Sequence, residues 1–401
     1  MPPKWPQFLS IYEKVMYAFF KGIINFILIA LTVLLTVVYY QTEIFDFPTP
    51  KAFSGEQFYN PYTQWNPENT QKANFHAHSK AWAGLTNGAN SPEEMKEEYE
   101  KLGFGLAAIS NYHETQATAI PVYEHGFNIY KTHKLAINAQ AVSYLDFPFR
   151  QNTSQKQMVI DRLVNNGALV ALAHPNVRDG HNMEDLSRLD NYQFIEVFSA
   201  YANALPQWDQ ALKNGKPVWC LANDDTHDIQ RQKPGRFYNL ISSSDRSADN
   251  MLHNLRAGNF VSVRNPERQP APLLESLQVQ GDSLHYSFSG PVDKVNIVVD
   301  GESYLQSTKA KFAIYLPKKW GYVRLEAYHN ESVLLTNPII RGHGTQPLNT
   351  HLARQNRAKT FLYRLGVLFV STLIISLLFV LNGWIKPKAR IKKKWKLVLP
   401  K

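Results

Sequence analysis

The sequence predicts an α/β domain of alternating strands and helices, a small β-sandwich after it, and a transmembrane helix on either side of the pair. Three observations carry this. Two uncharged apolar runs, residues 22–40 and 365–385, lie towards the ends of a 401-residue chain. Between them, short apolar strands recur about 25 to 34 residues apart with helical patterns in between, the spacing of parallel βα units. From Leu273 the texture changes to short strands broken by Gly, Asp and Pro turns, which predicts a sandwich of about 70 residues.

The elements follow in order. Residues 1–21 carry Lys4, Lys14 and Lys21, and the nineteen residues 22–40 carry no charge. About twenty apolar residues cross a bilayer as a helix. The run exceeds a usual signal-peptide core, and no small-x-small site follows at Tyr39-Tyr40-Gln41-Thr42, so an uncleaved anchor is the expectation. The second run, residues 365–385, leads straight into a basic tail, residues 386–401, with eight Lys/Arg and no acid. The positive-inside rule then puts both termini in the cytoplasm and the intervening domains on the extracytoplasmic or periplasmic side of the cell (inner) membrane. The tail also accounts for most of the net charge of +10, leaving +2 elsewhere, so the charge pattern predicts no nucleic-acid binding. Cys220 is the single cysteine. It excludes an intrachain disulfide and a four-cysteine zinc site, and its apolar neighbours argue against thiol catalysis.

Residues 41–72, rich in Pro, Asn and Tyr, are expected to be a connector, and residues 73–268 the βα domain. His76 and His78 end its first strand, two apart and therefore on one face. Ser91-Pro92-Glu93-Glu94 is a capping box with Pro at N1, opening a helix that Gly103 closes. Further strands are expected at 105–110, 135–138, 168–173, 194–198, 218–221 and 237–241. Helices are expected at 155–165, 206–213 and 248–256. The sandwich is placed at 272–345.

In parallel α/β folds chemistry gathers at the C-terminal ends of strands. Residues of ligand type fall there one rim after another: His76 and His78, then Ser110-Asn111-Tyr112-His113, Gln140, His174, and Asp225 with His227. Glu196 sits mid-strand in Phe194-Ile195-Glu196-Val197-Phe198 and needs a partner if buried. His125, His133, His181, His253, His285 and His329 read as surface or packing residues.

Residues 74–265 resemble the PHP (polymerase and histidinol phosphatase) domain of metal-dependent phosphoesterases. The resemblance rests on His76-Ala77-His78-Ser79, Ala173-His174-Pro175-Asn176, Phe194-Ile195-Glu196-Val197-Phe198 and Asp225-Thr226-His227, in that order. It implies a distorted seven-stranded βα barrel with two or three metals at the strand ends, hydrolysing phosphate mono- or diesters. Two positions depart from the family pattern. Ser110-Asn111-Tyr112 stands where the family has Thr-Asp-His, with His113 one place late, and Gln140 stands where a ligand glutamate is usual. One to three divalent ions (Zn, Mn or Fe) are expected on His76, His78, His113, Gln140, His174, Glu196, Asp225 and His227.

Ester hydrolysis at neutral pH needs an activated water and neutralised phosphoryl oxygens. Asp225 and His227 are the expected catalytic pair, with Lys80 and Arg236 as phosphate-gripping cations. Two other readings stand beside this one: a non-catalytic, membrane-tethered binding module on a degenerate barrel, and an amidohydrolase-type barrel, which also opens with His-x-His.

Overall fold

The computed structural model describes residues 11–245, 247–348 and 353–384; the basic tail lies outside the described residues. The chain divides into two compact units, the two terminal helices in one and Phe45–Gln355 in the other.

The first unit is a helical pair. Helices Ile11–Tyr40 and Arg357–Leu381 are each long and apolar enough to cross a membrane, by length and composition. They run antiparallel and meet along one seam. The Asn25 side-chain amide donates to Asn382 Oδ1 (2.7 Å) and the Asn382 amide donates back (2.9 Å). Thr36 donates to Ser371 Oγ at 2.6 Å. The same interval of eleven residues, three helical turns, separates the two polar positions on each helix. Between these rungs, positions 29, 32 and 35 on one helix and 375, 378 and 379 on the other are the less exposed ones.

The second unit is a mixed α/β fold. Its first long strand is β1 (Thr70–Asn74), followed by β2 (Leu106–Ala107), β3 (Val122–His125), β4 (Lys134–Ile137), β5 (Leu169–Leu172), β6 (Phe194–Phe198) and β7 (Trp219–Ala222). Pairings lead from each of these to the next, and from the end of β7 back to β1. β1 pairs β2 in parallel, and a parallel bridge joins Tyr112 to Glu124. β4 is antiparallel to both β3 and β5, whereas β5, β6 and β7 are mutually parallel neighbours. A last parallel bridge, Ala77 to Thr226, returns to the start. The strands from β3 to β7 are buried throughout, which is why they read as continuous apolar runs.

Helices close the gaps as their caps foretell. Ser91 and Glu94 form the capping box of helix Pro92–Lys101, and Asn152 with Gln155 forms that of helix Thr153–Asn165. Two expectations are corrected. The chain between β2 and β4 contains an additional strand, β3, so β4 runs against its neighbours instead of with them. The connector is not featureless either: Gln57–Tyr59 pairs with Ile339–Gly342, and Tyr62 is buried in the core of the β-rich half.

That half is continuous with the first. After β7 come β8 (Phe237–Ser242) and β9 (Phe260–Arg264); β8 pairs β1, and β9 pairs Ser332–Thr336. A ten-stranded sheet therefore crosses the boundary expected at residues 268–272. A three-stranded sheet of Leu273–Gln280, Ser283–Ser289 and Lys311–Tyr315 completes it. One apolar core holds Val261 and Val263 of β9 together with Leu277, Leu284, Ile297, Leu325 and Leu334.

Candidate metal centre

The site lies at the rim where β1, β3, β5, β6 and β7 end, and Glu124 is at its middle. The Glu124 side chain is fully buried. Its Oε1 lies 2.6 Å from His133 Nδ1, 3.3 Å from His174 Nε2 and 3.4 Å from His76 Nε2. Its Oε2 lies 3.2 Å from His78 Nε2. Asp225 Oδ1 approaches His76 Nε2 at 3.2 Å and His78 Nε2 at 3.4 Å. Two overlapping sets of donors, His76–Glu124–His174 and His76–His78–Asp225, each lie within 4.8 Å of one another, the spread that a single ion can bridge. His227 stacks on His78 with ring centroids 4.4 Å apart.

Local geometry explains how these side chains are aimed. His76 and His78 sit on the extension of β1, held by hydrogen bonds from His78 N–H to Thr226 O (2.7 Å) and from Asp225 N–H to His76 O (2.9 Å). His76 Nδ1 meets Glu196 Oε1 at 2.9 Å. This contact takes up the proton on Nδ1, so His76 would meet a metal through Nε2. Glu196 also accepts from Asn223 Nδ2 (2.9 Å) and from the His174 backbone N–H (3.0 Å). Glu196 is thus placed to orient His76 and the His174 backbone, and it belongs to neither donor set among the described residues. His174 and Asp225 have left-handed backbones, φ 28° and 51°, a strain that concentrates at functional sites. The turn at Asp225 separates it from Asp224, whose carboxylate instead accepts N–H groups of Gly235, Arg236 and Phe237.

The donor set suits a divalent cation. His174 Nδ1 and His227 Nε2 are buried without a hydrogen-bond partner among the described residues, and the Glu124 and Asp225 carboxylates meet imidazole nitrogens at 2.6 to 3.4 Å. Imidazole nitrogens with carboxylate oxygens match Zn²⁺, Mn²⁺ or iron.

The charges reinforce one another. Burial alone would lower the pKa of His76, but the carboxylates of Asp225, Glu196 and Glu124 raise it well above the ordinary value. Burial would raise the pKa of Glu124, yet His133 and His76 pull it well below the carboxylate range. Burial, with the nearby His78, brings His227 down to about 4. His227 Nδ1 donates to the Asp225 carbonyl at 3.0 Å, so at neutral pH its Nε2 is an uncharged lone pair.

The structure brings together His76, His78, His174, Asp225 and His227. It places Gln140, His113, Lys80 and Arg236 away from them. Because β4 runs antiparallel, its C-terminal end lies at the opposite rim. Gln140 is exposed there, its N–H bonded to Asn166 O and its side chain against Gly167. The N-terminal end of β4 faces the centre and delivers His133, which sequence reasoning had set aside as packing. His113 is buried beside His125, with Nδ1 on Ser143 O and Nε2 accepting from Gly126 N–H. Lys80 is exposed, Arg236 lies against the Phe237 ring, and neither lines the cavity. The cations that do line it are Lys131 and Arg178. Glu124 was missed because β3 was not recognised. Its signal was a carboxylate inside the short run Val122-Tyr123-Glu124-His125, akin to Glu196 inside Phe194-Ile195-Glu196-Val197-Phe198.

A cavity of about 280 Å³ opens onto these groups, lined by His133, His174, Asp225, His227, Tyr112 and Tyr201 among others. No protein-family profile and no curated protein sequence matches the chain. Among solved structures it is similar to a two-domain protein from Bacteroides vulgatus containing a predicted PHP-like metal-dependent phosphoesterase. The identity is 12%, the TM-score 0.40, and the match covers 77% of this chain and 99% of that one.

Proposed function

We propose that the chain is a membrane-anchored, metal-dependent hydrolase of phosphate esters. The observation that carries the metal is the pair of buried donor sets, His76–Glu124–His174 and His76–His78–Asp225, each within 4.8 Å of one another, beside a cavity lined by His133, His174, Asp225 and His227. The order of the His76-x-His78, His174-Pro175 and Asp225-x-His227 motifs supports the ester chemistry, and the pairings from β1 round to β7 are consistent with a distorted seven-stranded barrel. His76, His78, Glu124, His174 and Asp225 would hold the metal, with His133 and His227 at its margin. When bound, a divalent cation brings the pKa of its water from about 16 to near 7 and polarises the phosphoryl oxygen.

The remaining work falls to side chains. Glu196 fixes the His76 tautomer, and outer partners of this kind set ligand affinity. His227, neutral and open to the cavity at Nε2, is placed to take up or return a proton. Burial of the centre keeps the local dielectric low, which strengthens every charge contact in it. The two apolar helices anchor the protein, both termini cytoplasmic and the catalytic unit outside. The test is metal analysis of the purified full-length chain together with hydrolysis of p-nitrophenyl phosphate and bis-p-nitrophenyl phosphate. Metal-dependent turnover of either supports the reading; bound metal with no turnover leaves a binding module, and absence of metal removes the proposal.

A further inference from the structure

Two loops carry the cations at the mouth of the cavity, and they are built against each other. Lys131 lies in the loop between β3 and β4, and Arg178 in the loop after β5. Arg178 Nη1 donates to Ile129 O at 2.8 Å, tying one loop to the other. Gly180 lies so close to the first loop that a Cβ there would be 2.5 Å from Lys131 O; contacts this short force backbone movement, so only glycine fits. Asn128 Oδ1 shapes the first loop by accepting from the N–H groups of Tyr130 (3.2 Å) and Thr132 (3.1 Å). Lys131 and Arg178 both adopt left-handed backbones, φ 57° and 50°, which cost energy and persist only when their surroundings impose them. Among the described residues neither cation has an acidic partner.

We propose that Lys131 and Arg178 form a clamp for the outward-facing oxygen of a terminal phosphate, so that the cavity selects phosphate monoesters over diesters. The inference rests on the phosphoester reading above and names its substrate class. A monoester at neutral pH presents three non-bridging oxygens, and a diester only two. Oxygens directed to the buried donors leave one facing the mouth in a monoester, where guanidinium and ammonium groups make charge-assisted hydrogen bonds. In a diester that place is an alkoxy group, which leaves both cations unpaired, and sites built for a polar group reject analogues that lack it. The cavity, about 280 Å³, is at the small end for a small-molecule site.

The experiment is calorimetric titration of inorganic phosphate and of dimethyl phosphate into detergent-solubilised, metal-loaded full-length protein, with metal content measured in parallel. The wild type is expected to bind inorganic phosphate at least about tenfold more tightly than dimethyl phosphate. Lys131→Gln and Arg178→Gln are each expected to weaken phosphate binding about tenfold, with metal content unchanged and dimethyl phosphate affinity within about twofold. Gly180→Ala, which leaves both cations in place but pushes the loops apart, is expected to weaken phosphate binding in the same direction. Equal affinity for the two probes, or wild-type phosphate binding in both glutamine variants, overturns the clamp while bound metal leaves the hydrolase reading standing. Absence of metal from the wild type overturns both.

Discussion

His181 shows how far burial alone can set a titration. Both ring nitrogens are buried without a partner among the described residues. Burial, then the charges of Lys134 and Lys156, hold its pKa well below the ordinary histidine value. A group whose folded pKa is depressed binds its proton first in the unfolded chain. Its contribution to stability is complete above about pH 6.5, the unfolded pKa, and drains away as pH falls below it. His181→Met removes two unsatisfied polar atoms at similar volume. The wild type is therefore expected to lose stability relative to the variant below pH 6.5, by up to about 1.4 kcal/mol per pH unit. Thermal melts of the pair at pH 7.5, 6.0 and 5.0 measure this, and parallel curves contradict it. The histidines of the centre were only partly legible at this scale. His76, His78, His174 and His227 announced themselves by spacing and rim position. Glu124 did not, because its strand β3 was not recognised, and His133 did not, because it depends on the direction of β4, which the local sequence Lys134-Leu135-Ala136-Ile137 does not encode.

At the scale of elements, the helix pair is specified by few residues. Each helix is apolar nearly all round, so apolar patterning alone selects no partner face. The reciprocal Asn25–Asn382 amides and the Thr36–Ser371 hydroxyls do so, because an unpaired amide in hydrocarbon is costly and small polar groups hydrogen-bond across helices there. The register they set is antiparallel and within one chain. Ile29→Cys with Leu378→Cys falls between the two rungs and is expected to form an intrachain disulfide on oxidation in membranes. Ile27→Cys with Leu378→Cys faces away, since Ile27 is exposed, and is expected not to. Gel mobility with and without reductant reads the result, and covalent dimers in place of the intrachain species contradict the pairing. The two helices begin at Ile11 and Arg357, ahead of the uncharged runs at 22–40 and 365–385, but their existence was plain in the sequence. Their pairing was not, since a single asparagine in an apolar run is equally consistent with a partner in another chain.

At the scale of the whole unit Phe45–Gln355, the β-rich half is fused to the site-bearing half. Arg324, on Tyr322–His329, is buried and bonds Asp209 of helix Leu205–Lys213 through Nε (3.0 Å) and Nη2 (2.7 Å), and Glu326 through Nη1 (2.6 Å). Breaking such a pair by removing one partner costs about 3–5 kcal/mol, because the other charge stays buried. Arg324→Ala is expected to lower the single thermal transition of the full chain and to lower it for both halves together. A variant that unfolds in two separate steps contradicts this fusion. The change of texture at Leu273 correctly marked short antiparallel strands. What it hid is that β8 and β9 continue into them through Ser332–Thr336. Strand order within a sheet depends on long-range pairing, and alternation in one segment says nothing about its neighbour.

The claim on which the rest depends is that Glu124, and not Gln140, completes a metal centre with His76, His78, His174 and Asp225. Elemental analysis of the purified full-length chain tests it most directly, comparing the wild type with Glu124→Gln and Gln140→Glu. Wild type and Gln140→Glu are expected to retain the same divalent metal in the same amount. Glu124→Gln is expected to lose it, and with it the stabilisation RT ln(1 + [L]/Kd), about 2.7 kcal/mol at a hundredfold excess of metal over Kd. Metal retained in full by Glu124→Gln, or gained by Gln140→Glu, contradicts the account.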